Sequence, residues 1–211
     1  MGGEGEFDFI ARRLVPLTQG HQGAYGLKDD GAILAPPRGT SFAVTSDTLV
    51  EGVHFPIAED PFTAGWKALA ANVSDLTAMG AVPSVYVLNI VWPKGGVEAR
   101  VERFVEGLAQ AQAAFAITLV GGDTTSADGP WTISITAFGL VKGERTPRRG
   151  GAKPGDVLLV SNTIGDAFLG LQQHLGQANF DDPALSAHVA RRFNTPAPPM
   201  ELSGLLHEYA N

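Results

Sequence analysis

Between Pro61 and Met79, the residues Trp66, Leu69, Ala70, Val73, Leu76 and Thr77 recur at the three- and four-residue spacing of one helical face, and Gly80 supplies a stop. The spacing predicts a helix over 61–79. Asn72, Asp75 and Met79 share a second stripe of that helix, where a carboxylate can face a ligand instead of bulk water. Val97 to Phe115 repeats the helical period through Val101, Phe104, Val105, Leu108 and Ala111. Ser84 to Trp92 is a nearly unbroken run of strand formers closed by Pro93-Lys94-Gly95-Gly96, and reads as a buried central strand.

Shorter elements surround this helix-strand-helix unit. Phe7 to Val15 suits a short amphipathic helix, and the glycine-rich stretch from Gly20 to Gly31 is expected to be loop. Ser41 to Thr45 reads as a strand after the Pro36-Pro37-Arg38-Gly39 turn, with Ser46 and Asp47 at its carboxyl end and a long loop beginning at Asp47. Ile117 to Val120 is short and β-branched, so Gly121-Gly122-Asp123 is expected as the loop after a strand. Trp131 to Val141 alternates as a further strand. The basic, glycine-rich segment Lys142 to Gly155 is the best domain boundary, followed by a strand at Val157–Ser161 and helices at 165–175, 183–192 and 200–209. The class is mixed α and β, divided as residues 1–151 and 152–211.

Composition narrows the chemistry. A chain of 211 residues exceeds one domain of about 150 residues without reaching two. Its 44% hydrophobic content can fill a core, and no uninterrupted apolar run approaches the roughly 18 residues of a membrane span. The amino terminus, MGGEGEFDFIARRL, has no signal-peptide core, which leaves the cytoplasm as the expected location. A net charge of −7 argues against a nucleic-acid surface, which clusters Lys and Arg. With no cysteine, thiolate metal sites and cysteine nucleophiles are excluded, so any metal must take oxygen or histidine.

Against that background, four aspartate clusters stand beside small or hydroxyl-bearing residues: Asp29-Asp30-Gly31, Thr45-Ser46-Asp47-Thr48, Ser74-Asp75 and Gly122-Asp123-Thr124. Hard divalent cations take oxygen ligands, and Mg2+ commonly uses one or two carboxylates while leaving places for water and substrate phosphates. Dispersed aspartates with no Walker or dinucleotide-binding glycine motif therefore point to a metal-phosphate site of another kind. Each segment read alone also fits a plain turn or a solvated charge. His54 can donate to an anionic substrate or pack within its loop; Arg148-Arg149 can reach phosphate as a bidentate donor or remain solvated.

The ordered series DDGAIL, SDTLVEGVHF, ALAANVSDLTAMGAVP, LVGGDTT and RRGGAKPGDVLLVS resembles thiamine-monophosphate kinase, of the aminoimidazole-ribonucleotide-synthetase-like superfamily. The resemblance covers nearly the whole chain. It implies an amino-terminal ATP/Mg-binding and dimerisation domain with a mixed sheet and flanking helices, and residues 152–211 as an incomplete carboxy-terminal α/β domain. It also implies magnesium ligands at Asp30, Thr45, Ser46, Asp47, Asp75 and Asp123, a thiamine-phosphate contact at His54, and ATP contacts at Gly122, Asp123 and Arg149. Lys28 stands where the family usually has glycine.

The implied reaction is direct transfer of the ATP γ-phosphoryl to thiamine monophosphate with several Mg2+ ions, with no covalent nucleophile, by a cytoplasmic homodimer that binds neither nucleic acid nor membrane. Aminoimidazole-ribonucleotide synthetases and hydrogenase-maturation proteins share the aspartate scaffold, but Gly-Val-His-Phe and Ser-Asp-Leu-Thr-Ala-Met-Gly favour the thiamine enzyme. A noncatalytic dimerising or nucleotide-binding module is the reading from a different class.

Overall fold

A four-stranded mixed sheet of β1 (Thr40–Val50), β2 (Val82–Pro93), β3 (Thr118–Ala127) and β4 (Thr132–Lys142), in the order β1-β4-β2-β3, organises the chain. The computed structural model describes residues 6–95, 98–143 and 146–210. Strands β1 and β2 both run antiparallel to β4, and β2 runs parallel to β3. The parallel pair is joined by helix α3 (Glu98–Phe115), as a parallel connection requires a crossover. Helix α2 (Pro61–Ala78) joins β1 to β2. Asp60 caps it by accepting from the Phe62 N–H at 3.1 Å, and Pro61 fills the first turn, where its missing N–H costs nothing.

Both long helices cover one face of the sheet. Leu69, Val73 and Leu76 of α2, with Phe104, Leu108 and Ala111 of α3, bury against Tyr86, Leu88, Ile90, Ile133, Ile135 and Ala137. At one end, Trp92 and Trp131 stack with centroids 5.2 Å apart, and Phe104 and Phe55 meet Trp131 edge-on. The opposite face is only partly covered: Ala24, Val85 and Val120 form a small cluster beneath Leu27, Ala32 and Leu34.

The expected helices lie close to their predicted ranges, and the central strand is central. Val97, expected to begin α3, and the terminal residues 1–5 lie outside the described residues, as do Glu144 and Arg145 of the boundary segment. The stretch before β1 is more helical than expected. Helix α1 (Glu6–Phe9) passes into a π-helical turn at Ile10–Leu14, and 3-10 turns occupy Val15–Thr18 and Gln22–Leu27.

Three strand expectations need correction. Ser46 and Asp47 sit inside β1, because the Ser46–Thr136 and Thr48–Ser134 hydroxyl pairs, each at 2.9 Å, carry the ladder with β4 on to Val50. Gly121, Gly122 and Asp123 are likewise strand residues, held by parallel pairing with β2 that continues to Ala127. Val157–Ser161 forms no strand: Val157, Leu158 and Leu159 are more than four-fifths exposed, and an extended segment without a neighbour has no ladder to join. Helices α4 (Asp166–His174), α5 (Pro183–Asn194) and α6 (Ser203–Tyr209) follow it. Trp66 Nε1 donates to the Pro196 carbonyl at 2.8 Å and ties this carboxyl segment to α2.

Candidate metal and phosphate site

Asp29, Asp30 and Gly31 share a cavity of about 220 Å3 with Gly121, Gly122, Asp123 and Thr124 of β3. Ile10, Leu14, Ala24 and Leu27 form its apolar wall. Typical small-molecule sites span roughly 300–1,000 Å3, so the cavity is smaller than a complete site of that kind. Gly122 has φ +152°, and a Cβ there would lie 1.8 Å from the Leu88 carbonyl oxygen, so only glycine fits. Asp123 Oδ1 accepts from the Thr124 N–H at 2.8 Å, which fixes the carboxylate against its own strand.

A second group lies at the other edge of the sheet. Thr45 Oγ1 donates to Asp75 Oδ2 at 2.9 Å, joining β1 to α2. Asp47, Ile135, Leu88 and Gly122 form one row across the four strands, and Thr48, Ser134, Asn89 and Asp123 form the next. Alternation puts Asp47 on the face carrying the helices and Asp123 on the opposite face. Three strand intervals separate β1 from β3, about 14 Å. The fold thus collects Asp30, Gly122 and Asp123 at one edge and Thr45 and Asp75 at the other. Ser46 points away from Thr45, towards Thr136.

Neither His54 nor Arg149 lines the cavity. His54 Nδ1 accepts from the Val50 N–H at 3.1 Å, which places the proton of a neutral ring on Nε2 and leaves it as a donor on an exposed residue. Arg149 is exposed in a turn closed by Gly151 N–H to the Arg148 carbonyl. On the Asn72-Asp75-Met79 stripe only Asp75 and Met79 are exposed; Asn72 is buried and donates to the Ala68 carbonyl.

Among the described residues no three acidic or histidine side chains converge on one point. The donor set nevertheless fits Mg2+: every group is a hard oxygen, the aspartates are accessible, and one or two carboxylates per ion is the usual protein share. The site also depends on residues that sequence patterning passes over. Buried Gln112 accepts from the Tyr86 hydroxyl at 2.7 Å and donates to the Leu17 carbonyl at 3.0 Å, fastening the segment whose Ile10 and Leu14 wall the cavity. Burial pushes the Tyr86 pKa up, so the hydroxyl stays a donor. A polar residue on the apolar stripe of α3 was the available signal for Gln112.

This mixed sheet, covered by helices on one face and carrying acidic groups at both edges, has a recognisable family. The chain belongs to the family described as AIR synthase related protein, N-terminal domain, whose profile matches residues 28–141. It is 42% identical over 205 residues to the thiamine-monophosphate kinase of Caulobacter vibrioides, covering 97% of this chain and 57% of that protein. A crystal structure of the Stenotrophomonas maltophilia K279a thiamine-monophosphate kinase superposes with a TM-score of 0.77 at 37% identity, covering 88% of this chain and 59% of that one. AaThiL complexed with AMPPCP and TMP superposes at 0.75 with 29% identity, covering 90% and 64%. The chain therefore spans less than two thirds of the length of these relatives. Among the described residues no helix is long and apolar enough to cross a membrane.

Proposed function

We propose that this chain supplies the amino-terminal, ATP- and Mg-binding part of a cytoplasmic thiamine-monophosphate kinase, which phosphorylates thiamine monophosphate to thiamine diphosphate. The observation that carries the reading is the cavity shared by Asp29, Asp30, Gly122 and Asp123. The division into residues 1–151 and a partial second domain at 152–211 belongs to the same proposal. Support comes from the similarity to the kinases and from AaThiL, complexed with AMPPCP and TMP.

In this reading Asp30, Thr45, Ser46, Asp47, Asp75 and Asp123 hold Mg2+, which when bound neutralises phosphate charge so that two anions can approach. Gly122 brings backbone next to the nucleotide phosphates, with Asp123 beside it and the Arg149 guanidinium as a bidentate donor. His54 offers Nε2–H to the acceptor phosphate. That phosphate is already largely ionised, so no general base and no covalent nucleophile is assigned.

The homodimer is part of the proposal. A second copy that sets its β1 edge against β3 would bring Asp47 and Asp75 of one protomer towards Asp30 and Asp123 of the other. Exposed Val44 and Val82, paired with Phe138 and Leu140 on the sheet face away from α2 and α3, add apolar surface that a second copy would cover.

The direct test incubates the chain with ATP, thiamine monophosphate and Mg2+ and measures thiamine diphosphate, with Asp47→Asn alongside. Product that disappears in the variant supports the kinase. A chain that makes no product but is thermally stabilised by Mg2+ and AMPPCP keeps the nucleotide half alone. Dimerisation without any ligand response would favour a noncatalytic module.

A further inference from the structure

The loop that carries His54 is wrapped around a carboxylate. Glu51 Oε1 accepts from Arg100 Nη1 at 3.1 Å and from the Ala58 N–H at 3.3 Å, so one acid closes the loop's two ends and fastens them to α3. The Glu51 side chain is only 11% exposed, and Arg100 also lies 5.9 Å from the Trp131 ring. Ala58 holds φ +63°, a left-handed conformation that a side-chain-bearing residue adopts at a cost, and Glu51 accepts from the amide of that residue. Within the loop, Gly52 N–H donates to the Phe55 carbonyl and His54 N–H to the Val50 carbonyl, both at 2.8 Å. Phe55, next to His54, is buried edge-on against Trp131. Beyond the loop, Lys67 holds both oxygens of buried Glu59 at 3.1 Å. His54 is thus an exposed donor on a segment anchored at both ends.

We infer that Glu51 is a positioning residue for the acceptor substrate: through Arg100 and the Ala58 amide it holds the loop so that His54 Nε2–H stands ready for an anionic phosphate. This rests on the proposed role of His54. A donor fixed before binding loses less freedom when it meets its anion, so its benefit falls on affinity for the acceptor and not on nucleotide.

The test uses the full chain with Glu51→Gln, which keeps an oxygen for Ala58 but loses the ion pair, and Glu51→Ala, which loses both. Long-range proton–nitrogen spectra report the His54 tautomer, amide exchange reports Val53, His54 and Ala58, and calorimetry reports binding of thiamine monophosphate and of AMPPCP with Mg2+. Glu51→Ala is expected to average the ring signals, speed exchange at those amides and weaken thiamine monophosphate about tenfold. AMPPCP affinity should stay within about twofold, with Glu51→Gln in between. Unchanged spectra and exchange overturn the anchoring. Equal loss of both ligands, or undiminished acceptor binding by a loosened loop, overturns the positioning role. A parent chain that binds no thiamine monophosphate counts against the kinase reading and removes the substrate role with it, while the spectra still decide the anchoring.

Discussion

Thr45 Oγ1 donates to Asp75 Oδ2 across 2.9 Å, although the two residues stand 30 positions apart on β1 and α2. The bond aims an exposed carboxylate at the sheet edge. In Asp75→Asn the amide oxygen can still accept from Thr45 while the charge is gone, so stability should change by no more than about 0.5 kcal/mol. The stabilisation by Mg2+ with AMPPCP should be lost. Thermal melts with and without ligand check both, and a variant that keeps the full ligand shift removes Asp75 from the site.

Gly122→Ala acts through the backbone. Its Cβ would fall 1.8 Å from the Leu88 carbonyl oxygen, inside the β2–β3 pairing. A loss of at least about 3 kcal/mol is expected, because neither backbone can yield without breaking the ladder. For a chain of this size that is a drop of roughly 6 °C or more in Tm. A variant melting with the parent would show that β3 has room to shift.

Glu59 and Lys67 form a pair whose side chains are 1% and 14% exposed. Desolvation lowers the Lys67 pKa from its ordinary 10.5, against the raising effect of Glu59. Lys67→Met should cost about 3 kcal/mol by leaving a buried carboxylate unpaired, and adding Glu59→Gln should recover most of it. With the folded lysine below 10.5, the unfolded chain binds more protons in the window just under that value. The Lys67 contribution to stability therefore rises with pH there. Denaturant titrations of parent and Lys67→Met across the alkaline range should diverge with that sign.

Asp166 accepts from Thr163 and from His188, and these bonds hold its carboxyl below the ordinary 3.8. Its contribution to stability is complete above 3.8 and disappears as pH falls through the lower folded value. The Tm gap between the parent and Asp166→Asn should narrow from about pH 6 to about pH 3. A constant gap would mean that the carboxylate's charge adds nothing.

Much of this fold was legible from periodicity. The α2 pattern and the VYVLNIVW run each repeat one chemical preference over many residues, so local errors average out. Strand ends were not legible, because Ser46, Asp47 and Gly121 to Asp123 are weak strand formers held in place by neighbours on β4 and β2. Val157–Ser161 failed in the opposite direction: its residues favour a strand, but a strand needs a partner. The candidate site divided in the same way. The aspartates stood out as candidates beside glycine and hydroxyl residues, whereas Glu51, Glu59 and Gln112 look unremarkable until Arg100, Lys67 and Tyr86 are set against them.

The sequence by itself determined the exclusion of thiolate chemistry, the two long helices, the buried central strand and the resemblance to the kinases. Those properties are carried by residue type and by spacing within one segment. Only the tertiary structure decided that Asp30 and Asp123 share a cavity while Asp75 answers to Thr45 at the other edge, and that His54 stands on a loop closed by Glu51. These relations join positions far apart in the chain, and strand order, register and the pleat determine which of them meet.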